Sequence, residues 1–125
     1  MPRWQQDDRA LGPVVQGFTA RGFSIDGKDY AGALLTPERA EEWAAPSISE
    51  LSAEHLAPLF AGERQPEFLI LGTGPAMAFP PRALIRSLEA RDIGVEAMDS
   101  RAAARTWGML RGEGRWIAAA LMPIA

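Results

Sequence analysis

The chain has 125 residues, 47% of them hydrophobic, enough for one buried core without covalent staples. It contains no cysteine, which excludes disulfides, thiolate metal sites and a cysteine nucleophile and points to a reducing, cytoplasmic compartment. Its 13 basic and 16 acidic residues leave a net charge of -3, with no excess positive field to gather phosphates, so no nucleic-acid partner is expected.

Residues 1–12 are polar and unpatterned up to Gly12-Pro13, and they predict a mobile tail in front of a single α/β domain over residues 13–125. The first nine lack an apolar stretch like that of a signal peptide, and the longest apolar run, residues 117–125, is too short to span a bilayer, so no transmembrane segment is expected. Between residues 14 and 35 the pattern is that of strands, with Asp26-Gly27 as a hairpin signal. Thr36-Pro37 opens a turn, and residues 38–43 fit either a short strand or one helical turn. Residues 47–63 predict a loop and then a short helix, with Ser52 as cap, Leu56, Leu59 and Phe60 as the apolar stripe and Gly62 as the stop. Pro58 inside it removes a helical hydrogen bond, so this element should be short or kinked.

The second half is more regular. Residues 67–71 (EFLIL) form the continuous apolar run of a strand covered on both faces, ending at Gly72-Thr73-Gly74. After Phe79-Pro80-Pro81, a helix presents Leu84, Ile85 and Leu88 on one side and Arg82, Arg86 and Ala90 on the other. Residues 93–98 predict the next strand. In the helix that follows, Ala102, Ala103, Thr106, Trp107 and Leu110 share a face, Arg101 and Arg105 turn away, and Gly112 and Gly114 end it before a final strand in residues 115–122. Alternating strands and helices imply crossover connections and a largely parallel sheet between helical layers. The N-terminal antiparallel hairpin makes that sheet mixed, so the predicted fold class is a three-layer α/β architecture with a mixed central sheet.

Few residues offer chemistry. A strand leading through Gly72-Thr73-Gly74 to a helix is the frame of a dinucleotide turn, but Met77 stands where the third glycine would be and Pro75 removes a phosphate-binding N–H. His55 is the only histidine, no Gly-x-Ser-x-Gly turn exposes a serine, and Asp7-Asp8 and Glu41-Glu42 read as solvated pairs. No catalytic residue, metal ligand or cofactor is therefore assigned. Asp99 and Ser100 sit at the carboxyl end of a strand, where open α/β sheets hold ligands, and they serve equally well as a helix cap. Arg105 is a solvated charge unless it reaches Asp99 or offers its fork to a partner's carboxylate. Trp107 belongs to the core stripe, Trp4 has no stripe to join, and Trp43 and Trp116 are undecided. The candidate ligand- or partner-binding residues are thus Gly72, Thr73, Gly74, Asp99, Ser100 and Arg105.

Residues 68–81 (FLILGTGPAMAFPP) and 94–124 (GVEAMDSRAAARTWGMLRGEGRWIAAALMPI), with the earlier Ala33-Leu-Leu-Thr-Pro37 and Trp43, resemble the family of the mitochondrial complex I assembly factor 3 and its bacterial and archaeal relatives. Three positions depart from that family's pattern: Ser100 stands in place of a threonine, and Trp107-Gly108 in place of a tyrosine-asparagine pair. The resemblance implies a three-layer α/β fold and no established catalytic activity. It also implies protein partners, including subunits of a membrane respiratory complex, and a place in the cytoplasm or peripheral at the inner membrane. The expected function is non-enzymatic assistance in assembling such a complex. The alternative is a small-molecule or nucleotide binder using the crevice at Gly72-Thr73-Gly74.

Overall fold

A computed structural model describes residues 12–125. The expected tail, with Trp4 and Asp7-Asp8, lies outside the described residues except for Gly12, which sits against the Pro37 carbonyl. Five short strands come first: β1 (Val15–Phe18), β2 (Phe23–Ile25), β3 (Lys28–Tyr30), β4 (Ala33–Leu35) and β5 (Ala40–Glu42). Two 3₁₀ helices follow, Ile48–Glu50 and Ala53–Phe60. The chain then runs through β6 (Phe68–Gly72), α1 (Arg82–Glu89), β7 (Gly94–Met98), α2 (Ser100–Gly112) and β8 (Ala118–Leu121).

The main sheet has the order β5-β4-β8-β6-β7 and is mixed, as expected: β6 is parallel to both β7 and β8, whereas β4 is antiparallel to β8 and β5. Its antiparallel members are nevertheless β4 and β5. The Asp26-Gly27 hairpin joins β2 to β3 in a separate three-stranded antiparallel sheet with β1. Asp26 and Gly27 both take positive φ, 51° and 81°, the pair of values that a two-residue hairpin turn requires. Of residues 38–43, Ala40–Glu42 forms a strand, paired along the edge of β4.

Alternation along the interior strands divides the core in two. Leu69 and Leu71 of β6, Ala118 and Ala120 of β8 and Leu34 of β4 face one side, where Leu84 and Leu88 of α1 and Leu56, Leu59 and Phe60 of the second 3₁₀ helix cover them. Ile70, Ala119, Leu121, Ala33 and Leu35 face the other, under Ala103 and Trp107 of α2 and Phe23, Ile25 and Tyr30 of the small sheet. The connection through α1 runs from β6 outward to β7, and that through α2 runs back past β6 to β8. Two crossovers of the same hand in opposite directions must place their helices on opposite faces, as found.

Proline accounts for the 3₁₀ segment. Pro58 has no N–H to complete an α-helical ladder, and the expected helix appears as the tighter form over Ala53–Phe60, with Leu56, Leu59 and Phe60 buried as read. At its start the Ser52 N–H donates to His55 Nδ1 at 3.0 Å, which gives the lone histidine a structural task. The buried face of α2 is wider than the predicted stripe, comprising Ser100, Ala103, Ala104, Trp107 and Arg111. The helix is covered from two directions, by the main sheet and by β1, so burial spreads beyond one stripe. Trp107 is fully buried, and its indole N–H donates to the Pro13 carbonyl at 3.3 Å.

Candidate partner-binding site

Five of the six predicted site residues meet at the carboxyl ends of β6 and β7. Gly72 ends β6 with its carbonyl accepting from Met122 N–H at 3.0 Å, and Thr73 N–H donates to the Met98 carbonyl at 2.8 Å. Ser100, fully buried as the first residue of α2, is held from both sides: its N–H donates to the Gly74 carbonyl at 2.8 Å, and its Oγ accepts from Gly74 N–H at 2.8 Å. Asp99 is the cap, accepting from Ala102 N–H at 2.9 Å. The two readings of the Asp99-Ser100 pair thus separate, with the carboxylate closing the helix and the hydroxyl fastening the helix to the turn.

Both glycines are required by this geometry. A Cβ on Gly72 would lie 2.8 Å from Ser100 Oγ and 2.9 Å from its Cα, so glycine is what lets the helix start against the strand. Gly74 has φ +110°, a conformation L side chains rarely adopt. The backbone N–H groups that a phosphate would use are engaged within the turn itself: that of Thr73 with Met98, that of Gly74 with Ser100, that of Ala102 with Asp99.

The turn also projects a loop. Residues 75–81 (PAMAFPP) carry no charge and leave Phe79 85% and Met77 46% exposed, although both are apolar. Thr73, itself buried, holds the loop's shape: its hydroxyl donates to the Ala76 carbonyl at 2.8 Å and accepts from Ala78 N–H at 3.0 Å. Three prolines, Pro75, Pro80 and Pro81, restrict the backbone on either side. The result is a preordered apolar projection at the end of the sheet. Sequence reasoning treated Phe79-Pro80-Pro81 only as a helix start; the available signal was an apolar run without helical or strand period, which has no core position to fill.

Arg105 stands apart. It is exposed on α2, lines a cleft against β1, and has no ion-pair partner among the described residues. The arginines of the second half are likewise dispersed. Arg82 and Arg86 ride on α1 and Arg101 and Arg105 on α2, on opposite faces of the sheet.

The opposite end of the sheet holds a clasp between the starts of β6 and β8. Arg115 pairs with Glu67 at 2.8 Å, and the Trp116 N–H donates to the same carboxylate at 3.4 Å. The Arg115 hydrogen bond holds the Glu67 carboxyl below its ordinary pKa against the opposing effect of burial, and the Trp116 N–H adds to the lowering. Arg64 stacks on the Trp116 ring at 4.2 Å and accepts the indole N–H with its carbonyl at 3.2 Å. Arg111 is buried beneath, donating to the Arg115 carbonyl at 2.7 Å. The nearby cavity, between Pro37, Arg39, Arg64 and Trp116, is about 20 Å³, room for one water. Among the described residues no group of three histidine, aspartate or glutamate side chains gathers to hold a metal ion, and no helix is long and apolar enough to cross a membrane.

The family described as protein of unknown function (DUF498/DUF598) matches residues 15–122. A zebrafish (Danio rerio) relative, NADH dehydrogenase [ubiquinone] 1 alpha subcomplex assembly factor 3, is 34% identical over 94% of this chain and 68% of its own length. An uncharacterised protein of Rhodobacter capsulatus is 33% identical over 88% of this chain and 84% of its own. The chain spans about two thirds of the length of the curated vertebrate relatives it matches. A crystal structure of a Bordetella parapertussis protein superposes with a TM-score of 0.81 at 30% identity, covering 90% of this chain and 97% of that one.

Proposed function

The chain belongs to the DUF498/DUF598 family together with assembly factor 3 of NADH dehydrogenase and uncharacterised bacterial relatives, and from that membership we propose that it is a non-enzymatic interaction protein assisting assembly of a membrane respiratory complex. The observation that carries the reading is the loop of residues 75–81. An exposed phenylalanine and methionine cost solubility unless a partner covers them, and interface anchors of this kind supply most of the binding energy when buried. Because Thr73 and the flanking prolines order the loop in advance, less conformational entropy is lost on docking.

In this reading Gly72, Thr73, Gly74, Asp99 and Ser100 act as the mount of the binding loop, without touching a small ligand, and Arg105 adds a charged contact from a neighbouring face. The protein works in the cytoplasm, peripheral to the inner membrane where its client is built. The test is a photo-crosslinking residue at position 79 in the native host, followed by identification of what it captures. Capture of NADH dehydrogenase subunits, lost when Met77 is replaced by aspartate, is the expected result. Capture of no respiratory subunit, together with unchanged respiration after gene deletion, overturns the proposal.

A further inference from the structure

The other exposed apolar side chains lie away from that loop and frame a cleft. Among the described residues five large hydrophobics are exposed; setting aside Met77 and Phe79, these are Val14, Phe18 and Met109. Strand β1 forms one wall of the cleft along its whole length, and Ala104, Arg105, Gly108 and Met109 of α2 form the other, enclosing about 310 Å³. Val14 directly precedes the strand wall.

We propose that this cleft receives an extended segment of another protein, added as a strand along the outer edge of β1 and carrying apolar and acidic side chains in alternation. The strand order β1-β2-β3 leaves β1 without a second neighbour among the described residues, and an edge strand's unpaired N–H and C=O groups are a template for a further strand. Four residues of β1 extend about 13 Å, and the helical wall from Ala104 to Met109 rises about 7.5 Å, with Arg101 standing over Phe18 beyond it. The volume suits the few side chains that one face of a short extended segment would insert.

Small residues create the space. A Cβ added at Gly17 or at Gly108 would meet nothing within 4 Å, so both glycines open onto the void, and Ala104 lies one turn before Gly108. Charge selects the occupant. Arg101 lies over the Phe18 ring at 5.9 Å, Arg105 follows one turn later, and neither has a carboxylate within ion-pair distance among the described residues. Among the described residues, Asp26 and Asp99, the nearest acidic groups in sequence, are engaged elsewhere: the Asp26 carboxylate accepts from Val14 N–H at 3.0 Å and that of Asp99 caps α2. Apolar floor, free strand edge and paired guanidinium groups together fit a partner strand whose inward side chains are apolar and whose rim is acidic. This surface is separate from the loop of residues 75–81; it shares Arg105 with the proposed assembly role but does not depend on that role.

The experiment is a titration of the full ¹⁵N-labelled chain with a short capped peptide alternating valine and glutamate, beside a counterpart alternating valine and lysine. Saturable amide shifts at Gln16, Gly17, Phe18, Gly108 and Met109 with the acidic peptide only are expected. Gly108→Leu fills the void from a helical position where leucine is the better helix former, so it should keep the fold and abolish these shifts. Arg101→Glu with Arg105→Glu should weaken the acidic peptide by about tenfold, the scale of two exposed charge pairs turned repulsive, and favour the basic one. Absence of shifts at those amides, an equal response to both peptides, undiminished binding by Gly108→Leu, or the same shifts on concentrating the protein alone would each overturn the proposal; the last would make a second copy the occupant.

Discussion

Gly72 shows how a single missing side chain sets the geometry of a site. Its carbonyl, its strand pairing and the start of α2 all meet where a methyl group would overlap Ser100 and come within 3.1 Å of the Ala103 Cβ. Gly72→Ala should therefore push α2 from β6 and cost about 1–3 kcal/mol, the usual scale of overpacking, read as a lowered urea midpoint with unchanged slope. A midpoint equal to that of the parent would show that the helix start has slack. Glu67 offers a test by pH. Its pKa is lowered in the folded state by Arg115, so the ion pair adds stability above the ordinary value of 4.5 and loses it as pH falls through the lowered folded value. Both partners are more than a third exposed, so solvent screening limits the contribution to about 1 kcal/mol or less. Glu67→Gln should be slightly less stable at neutral pH and indistinguishable from the parent in acid below the folded pKa. A deficit that persisted in acid would assign the effect to lost packing and not to charge.

At the scale of elements, α2 is the piece that two surfaces share. Its first turn fastens the Gly72–Gly74 turn through Ser100, its middle seals one core layer through Trp107, and its outer side forms a wall of the cleft. Gly108 weakens it for no packing reason, since the position is exposed and a Cβ there meets nothing. Gly108→Ala should accordingly raise stability by up to about 1 kcal/mol, visible as a higher thermal midpoint. A neutral or negative change would mean that the backbone at 108 departs from regular helix in solution. The second 3₁₀ helix presents the reverse case. Its proline sacrifices regularity, yet Leu56, Leu59 and Phe60 still close the layer that α1, only eight residues long, cannot cover alone.

Over the whole molecule, the exposed large apolar side chains of the described residues form two patches, one on the loop of residues 75–81 and one at the cleft beside β1, while the arginines of α1 and α2 lie on opposite faces. Phe79→Ser should leave stability within about 0.5 kcal/mol, because the ring is 85% exposed, while abolishing co-purification of the client. A large loss of stability would instead place Phe79 in the fold's support. Much of this architecture was legible beforehand. The continuous apolar run of residues 67–71 marked a strand covered on both faces, and the one-sided helices after it required a layered sheet, because hydrophobic period reports directly which sides of an element meet water. The Gly-Thr-Gly turn was readable from its glycines, which admit the positive φ of Gly74, and the Asp99 cap from its carboxylate, which satisfies a backbone group only three residues on. Tertiary structure alone decided the rest: that the first hairpin forms its own sheet, that Ser100 bonds Gly74 across 26 residues, and that apolar residues 75–81 stand outside the core. Local pattern shows that a side chain seeks burial, but which surfaces remain to receive it depends on long-range pairing, settled only when distant strands choose their neighbours.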